Sequence, residues 1–175
     1  MKEVRFPAEF HLERLTRSQA RVGFDSGQPA VNDWLATKAL QQQEKHMSVT
    51  KVLLAPQNNI AGYFTLAIGQ VDFSDLPADI ARRLPRRRLP VAIVAWLGVS
   101  VEHQGRGLGK LLLAQALRDC HSAGQTFAFV AVVIDCLDDK SKAFYQMWDF
   151  HELPGHPYRL FLTSAQLTEL MRTPA

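Results

Sequence analysis

The sequence predicts an α+β fold built on a mixed central sheet, and three observations carry that expectation. Strand patterns separated by a turn signal fill the first half and read as antiparallel hairpins. Residues 91–134 then run strand, glycine-rich turn, helix, strand, the signature of a parallel βαβ unit. Apolar residues recur at helical spacing before, within and after that unit. A chain of 175 residues, 47% hydrophobic and 21% charged, is long enough to bury one core, so a single domain over 1–175 is expected.

Taken in order, residues 4–15 contain alternating segments and read as an edge strand. A turn at Phe24-Asp25-Ser26-Gly27 precedes Pro29, which suits a first helical turn because the N–H it lacks has no partner there. Val31, Trp34, Leu35 and Ala39 give that helix a buried face. Residues 48–55 and 60–73 are strands joined at Asn58-Asn59. Prolines and arginines in 76–89 imply a short helix and an exposed loop. Residues 91–101 are apolar and β-branched, as in a strand covered on both faces.

A helix over 108–121 is apolar almost all round and is expected to be sandwiched. Residues 127–134 are the second buried strand. Asp138 fits a helix N-cap, with Phe144, Met147 and Trp148 on the inner face and Tyr145 off it. Residues 158–162 read as a last strand. Thr163 with Gln166 forms a capping box for a final helix bearing Leu167, Leu170 and Met171.

The chemistry concentrates at Gln104-Gly105-Arg106-Gly107-Leu108-Gly109-Lys110. Alternating glycines permit a sharp bend and close approach of a ligand. The helix that follows begins with unpaired, partially positive N–H groups, which suit a phosphate. Arg106 and Lys110 add charge. The Walker pattern fails because Leu111 follows Lys110, and the dinucleotide GxGxxG pattern fails because these glycines alternate. Taken alone, the segment also fits a tight strand-to-helix turn holding no ligand.

Gln104 to Gly109 resembles the [QR]-x-x-G-x-[GA] signature of GNAT acetyltransferases, and Ala95-Trp96-Leu97-Gly98-Val99 is similar to their fourth strand. Lys140-Ser141-Lys142-Ala143-Phe144-Tyr145 resembles their tyrosine helix. Phe24-Asp25-Ser26-Gly27, continuing to Asn32-Asp33-Trp34-Leu35, looks like the FDCG-x-x-x-LN-x-(F/W)-L opening of the GNAT toxins of type II toxin–antitoxin systems. Gly62-Tyr63-Phe64-Thr65-Leu66 and Leu137-Asp138-Asp139 match that branch too. Ser26 stands for its usual cysteine, and Trp148-Asp149-Phe150 for its usual F-G-F.

The resemblance implies a GNAT fold and acetyl-CoA as acetyl donor. The cofactor-binding residues would be Leu97, Gly98, Val99, Gln104, Gly105, Arg106, Gly107, Leu108, Gly109, Lys110 and Lys142, with Tyr145 as general acid. It further implies an aminoacyl-tRNA acceptor, a ribbon-helix-helix antitoxin and a homodimer. A GNAT enzyme acetylating a small amine or a protein N-terminus is the first alternative. A non-catalytic acyl-CoA-binding interaction domain is the second.

Arg82, Arg83, Arg86, Arg87 and Arg88 form a dense basic run suited to tRNA phosphates, to an acidic antitoxin tail, or to solvent alone. Glu102, His103 and Asp135 are the nearby candidate bases. Cys120 and Cys136 lack metal or disulfide-framework spacing, and an acetyl-cysteine intermediate is the less favoured use for them. No metal is expected. The first ten residues lack the apolar stretch of a secretion signal. The apolar run 127–134 falls far short of the roughly 20 residues of a membrane span. A cytoplasmic location follows as the expectation.

Overall fold

Seven strands form one sheet in the order β1-β2-β3-β4-β5-β7-β6 in the computed structural model, which describes residues 3–172. The strands are β1 (His11–Arg14), β2 (Val49–Leu54), β3 (Ile60–Asp72), β4 (Arg88–Val99), β5 (Ala131–Asp135), β6 (His151–Leu153) and β7 (His156–Thr163). β1 pairs antiparallel with β2, and β2 with β3. β4 and β5 are parallel, from Val91↔Ala131 to Val94↔Ile134. β5 and β6 each lie antiparallel to β7. The expected mixed sheet, with hairpins first and a parallel βαβ unit later, is present.

One compact unit comprises Glu3–Ala67 with Ala95–Arg118. Its core gathers Leu15, Phe24, Val31, Leu35, Val52 and Tyr63, with Trp34 and Trp96 packed against it. Pro29 opens α1 (Pro29–Asp33) as its fixed φ favours. The helix then widens into a π-turn over Trp34–Lys38 before α2 (Ala39–Glu44), with the Ala39 N–H reaching back to the Trp34 carbonyl. Strand β1 is shorter than the 4–15 pattern suggested.

Helix α4 (Leu108–Gly124) runs through both units, with Leu108, Leu112, Leu113, Ala116 and Leu117 almost fully buried, as the sandwiched pattern requires. Gly62 is set by close approach in the first unit. A Cβ there would stand 2.7 Å from Leu112 Cδ1 and 2.9 Å from the Gly98 carbonyl oxygen. Backbone cannot yield as a flexible side chain does, so Gly62→Ala is expected to destabilise by about 1–3 kcal/mol. Thermal or urea unfolding measures this, and an unchanged midpoint would contradict the packing argument.

Among the described residues, the second unit comprises Ile68–Val94 and residues 119–172. Val71, Leu76, Leu89, Val91, Val133 and Phe161 form its core. Helix α3 (Ala78–Ala81) is the short helix expected before the arginine loop. Asp138 caps α5 (Asp139–Gln146) through a reciprocal pair with Ser141: the Ser141 N–H donates to Asp138 Oδ1 at 2.7 Å, and Ser141 Oγ accepts from the Asp138 N–H at 3.1 Å.

The expected inner face of α5 is corrected by the structure. Tyr145 is its buried residue, 7% exposed, while Met147 at the C-cap is 67% exposed. Asp149 ends this segment at φ +67, and the strand β6 that follows was not anticipated. Thr163 and Gln166 do cap α6 (Ser164–Arg172), the Thr163 N–H donating to Gln166 Oε1 at 2.9 Å and the Gln166 N–H to Thr163 Oγ1 at 3.2 Å.

Candidate active site

The glycine turn is bent by two left-handed residues, Gly105 at φ +76 and Gly107 at φ +78. Side chains rarely adopt such angles, which is the first reason for glycine here. A Cβ added at either position would meet nothing within 4 Å. Packing within the chain therefore does not require glycine at either position; the backbone angle does. Helix α4 begins at Leu108, so its first amides emerge directly from this bend.

Gln104 is engaged with backbone. Its Nε2 donates to the carbonyls of Ser26 and Val99, each at 2.9 Å, tying the turn to the end of β4 and to the loop before α1. Arg106 pairs with Glu9 at 2.7 Å and lies 4.9 Å from the Phe10 ring centroid. Backbone hydrogen bonding and the Arg106 guanidinium hold the Glu9 carboxyl below its ordinary range. Lys110 is exposed on the first turn of α4.

Leu97, Gly98 and Val99 close β4. The strand continues five residues beyond Val94, where its parallel ladder with β5 stops. A Cβ on Gly98 would lie 2.5 Å from Val31 Cγ1, so α1 sits directly against this strand end. Trp96 stacks on Trp34 with centroids 5.2 Å apart and planes 15° apart, and Trp34 Nε1 donates to the buried Thr65 hydroxyl at 3.2 Å.

Tyr145 and Lys142 belong to the other unit. Burial first, and then the Cys136 thiol, push the Tyr145 phenol above its ordinary range, so it is a protonated donor at neutral pH. Lys142 pairs with Glu152 and lies 5.3 Å from the Tyr158 ring centroid. The Glu152 hydrogen bond raises its pKa. Tyr158 donates to Asp139 Oδ1 at 2.7 Å, so α5 is pinned to the β6–β7 hairpin at two points.

Of the candidate bases, Asp135 receives two hydrogen bonds from Arg159, at 2.7 and 3.1 Å, and His103 Nδ1 lies 3.2 Å from Ser100 Oγ. Glu102 is exposed. Burial and neighbouring carboxylates push Cys120 up to about 12 and Cys136 up to about 11. Neither is a thiolate at neutral pH, which disfavours an acetyl-cysteine route. Among the described residues, no group of three or more His, Cys, Asp or Glu is arranged to hold a metal ion, and no helix is long and apolar enough to cross a membrane. The five arginines are exposed, Arg82 capping α3 and Arg88 opening β4.

The family model for acetyltransferases of the GNAT family matches residues 12–150, spanning the hairpins, the glycine turn and the tyrosine helix. The chain belongs to the GNAT acetyltransferase family. It is thus an acetyl-CoA-dependent N-acetyltransferase, with acetyl-CoA as acetyl donor. This GNAT chain is 32% identical over 149 residues to a tRNA-acetylating toxin of Mycobacterium tuberculosis, covering 85% of this chain and 89% of that protein. It is 27% identical over 120 residues to a probable toxin TacT of Sinorhizobium fredii, covering 64% and 66%. Among solved structures, AtaT complexed with acetyl-methionyl-tRNAfMet superposes with a TM-score of 0.85 at 24% identity, covering 93% of this chain and 99% of that one. At that identity the likeness establishes the fold.

Proposed function

We propose that this acetyltransferase is a toxin that moves acetyl from acetyl-CoA to the α-amino group of aminoacyl-tRNA by direct attack. The observation carrying the cofactor half is the glycine turn, with two left-handed glycines facing open space at a helix start. Amides of 105–110 bind the pyrophosphate, and the backbone of 97–99 provides donors for the acetyl carbonyl as it becomes an oxyanion. Tyr145 gives its proton to the departing thiolate. The amine attacks uncharged. An α-amino group titrates near 8, against about 10.4 for lysine, so an aminoacyl ester supplies a neutral amine without a strong base.

The acceptor half is supported by the 32% identity to a tRNA-acetylating toxin and by the exposed arginine run. Arg82, Arg83, Arg86, Arg87 and Arg88 contact tRNA phosphates in this reading, and no interleaved aromatics suggest base stacking. Reversing their charges is expected to weaken charged-tRNA binding and flatten its salt dependence, by about 0.7–0.9 in log–log slope for each phosphate no longer neutralised. Acetylation of a small amine should be unaffected. A salt slope equal to wild type removes the arginines from the interface.

A ribbon-helix-helix antitoxin and a homodimer complete the reading. A structure of AtaT bound to the C-terminus of the antitoxin AtaR, at TM-score 0.81, supports the first in kind. The deciding experiment is expression in cells, followed by mass analysis of aminoacyl-tRNA. Acetylated α-amino groups are expected. Their absence while purified protein turns over acetyl-CoA with small amines would redirect the proposal to those acceptors.

A further inference from the structure

The segment from Phe24 to Asn32 has no part in the chemistry above, yet its polar groups form a dense network. Asn32 Oδ1 accepts from the Ser26 N–H and from Ser26 Oγ, both at 2.8 Å. Asn32 Nδ2 donates to Asp25 Oδ1 at 3.0 Å, and the same oxygen accepts from the Gly27 N–H at 2.8 Å. Those two donors, the Gly27 amide first, hold the Asp25 carboxyl below its ordinary range. One amide side chain on α1 thus satisfies both residues of the preceding loop.

The backbone oxygens of these two residues hold the stretch leading into the glycine turn. The Asp25 carbonyl accepts from the Val101 N–H at 2.8 Å, and the Ser26 carbonyl accepts from Gln104 Nε2 at 2.9 Å. Ser26 Cβ also lies 3.6 Å from the position a Cβ would take on Gly98. The loop therefore braces the stretch from Gly98 to Gln104, and Gly105 is the next residue.

We infer that Asn32 is a positioning residue for acetyl-CoA binding: through Asp25 and Ser26 it fixes Val101 and Gln104, and so the direction in which the amides of 105–109 point. It acts through other groups. This inference rests on the reading that coenzyme A binds at the glycine turn.

The test is a double-mutant cycle on coenzyme A affinity, measured by calorimetry with purified full-length protein. Asn32→Ala and Gln104→Ala are each expected to weaken binding about tenfold, the worth of one well-placed hydrogen bond. The double variant should be little weaker than either single one, because both break the same brace. In acetyl-transfer assays Asn32→Ala should raise KM for acetyl-CoA and leave KM for the acceptor unchanged. Asn32→Ser, which keeps a hydroxyl, serves as the milder variant if alanine does not fold. Stably folded variants with wild-type affinity, or losses that simply add, overturn the inference. Wild-type protein that fails to bind coenzyme A would instead sink the underlying reading of the turn, so the two failures are distinguishable.

Discussion

Replacing Tyr145 with phenylalanine is expected to lower kcat for acetyl transfer about 10²–10³-fold, within the range a positioned general acid contributes. Affinity for acetyl-CoA should hold, because the ring remains. The ring is 7% exposed and meets Phe144 and Phe150 edge-on, with centroids 5.3 and 6.2 Å away, and phenylalanine keeps both neighbours. Burial raises the phenol's pKa above the ordinary value near 10, so the phenol keeps its proton throughout neutral and mildly alkaline conditions.

Below about pH 8 the rate should climb as the acceptor amine loses its proton, and it should then stay level to about pH 10. For stability, a raised folded-state pKa contributes fully below the unfolded value near 10. Above it the unfolded chain releases the proton first, and the contribution fades as pH rises. A rate already falling at pH 9, or a phenylalanine variant with wild-type kcat, would remove Tyr145 from the chemistry.

The second large effect is expected at Gly107. A valine there must sit at φ +78, at a backbone cost of about 1–3 kcal/mol. Apart from its two chain neighbours, the Cβ meets no atom within 4 Å. Where coenzyme A binds at this bend, the added side chain stands in its path. Coenzyme A affinity should fall at least about a hundredfold, equivalent to two hydrogen bonds to a charged group. Calorimetry on a variant shown to be folded by circular dichroism gives the answer. Retained affinity would mean that the bend is only a connection between strand and helix.

Much of this was readable before any coordinates. The βαβ run over 91–134 announced itself because β-branched strands, alternating glycines and an apolar helix each carry a local signal. Capping was equally local: Asp138 with Ser141, and Thr163 with Gln166, lie three residues apart. What stayed hidden was non-local. Nothing near Gln104 in the sequence points to Ser26, 78 positions away, and Trp34 gives no sign of stacking on Trp96. The buried face of α5 is not legible either, because Met147 is more apolar than Tyr145, while the tertiary packing buries the tyrosine. The strand β6, three residues long, is too short to show a period.

Asp149, at φ +67, occupies the middle of the segment where the toxin branch usually carries F-G-F. Aspartate is among the few side-chain-bearing residues that tolerate this region, so the corner glycine would have made survives its replacement. A left-handed corner is thus built here with a carboxylate side chain in place and no glycine.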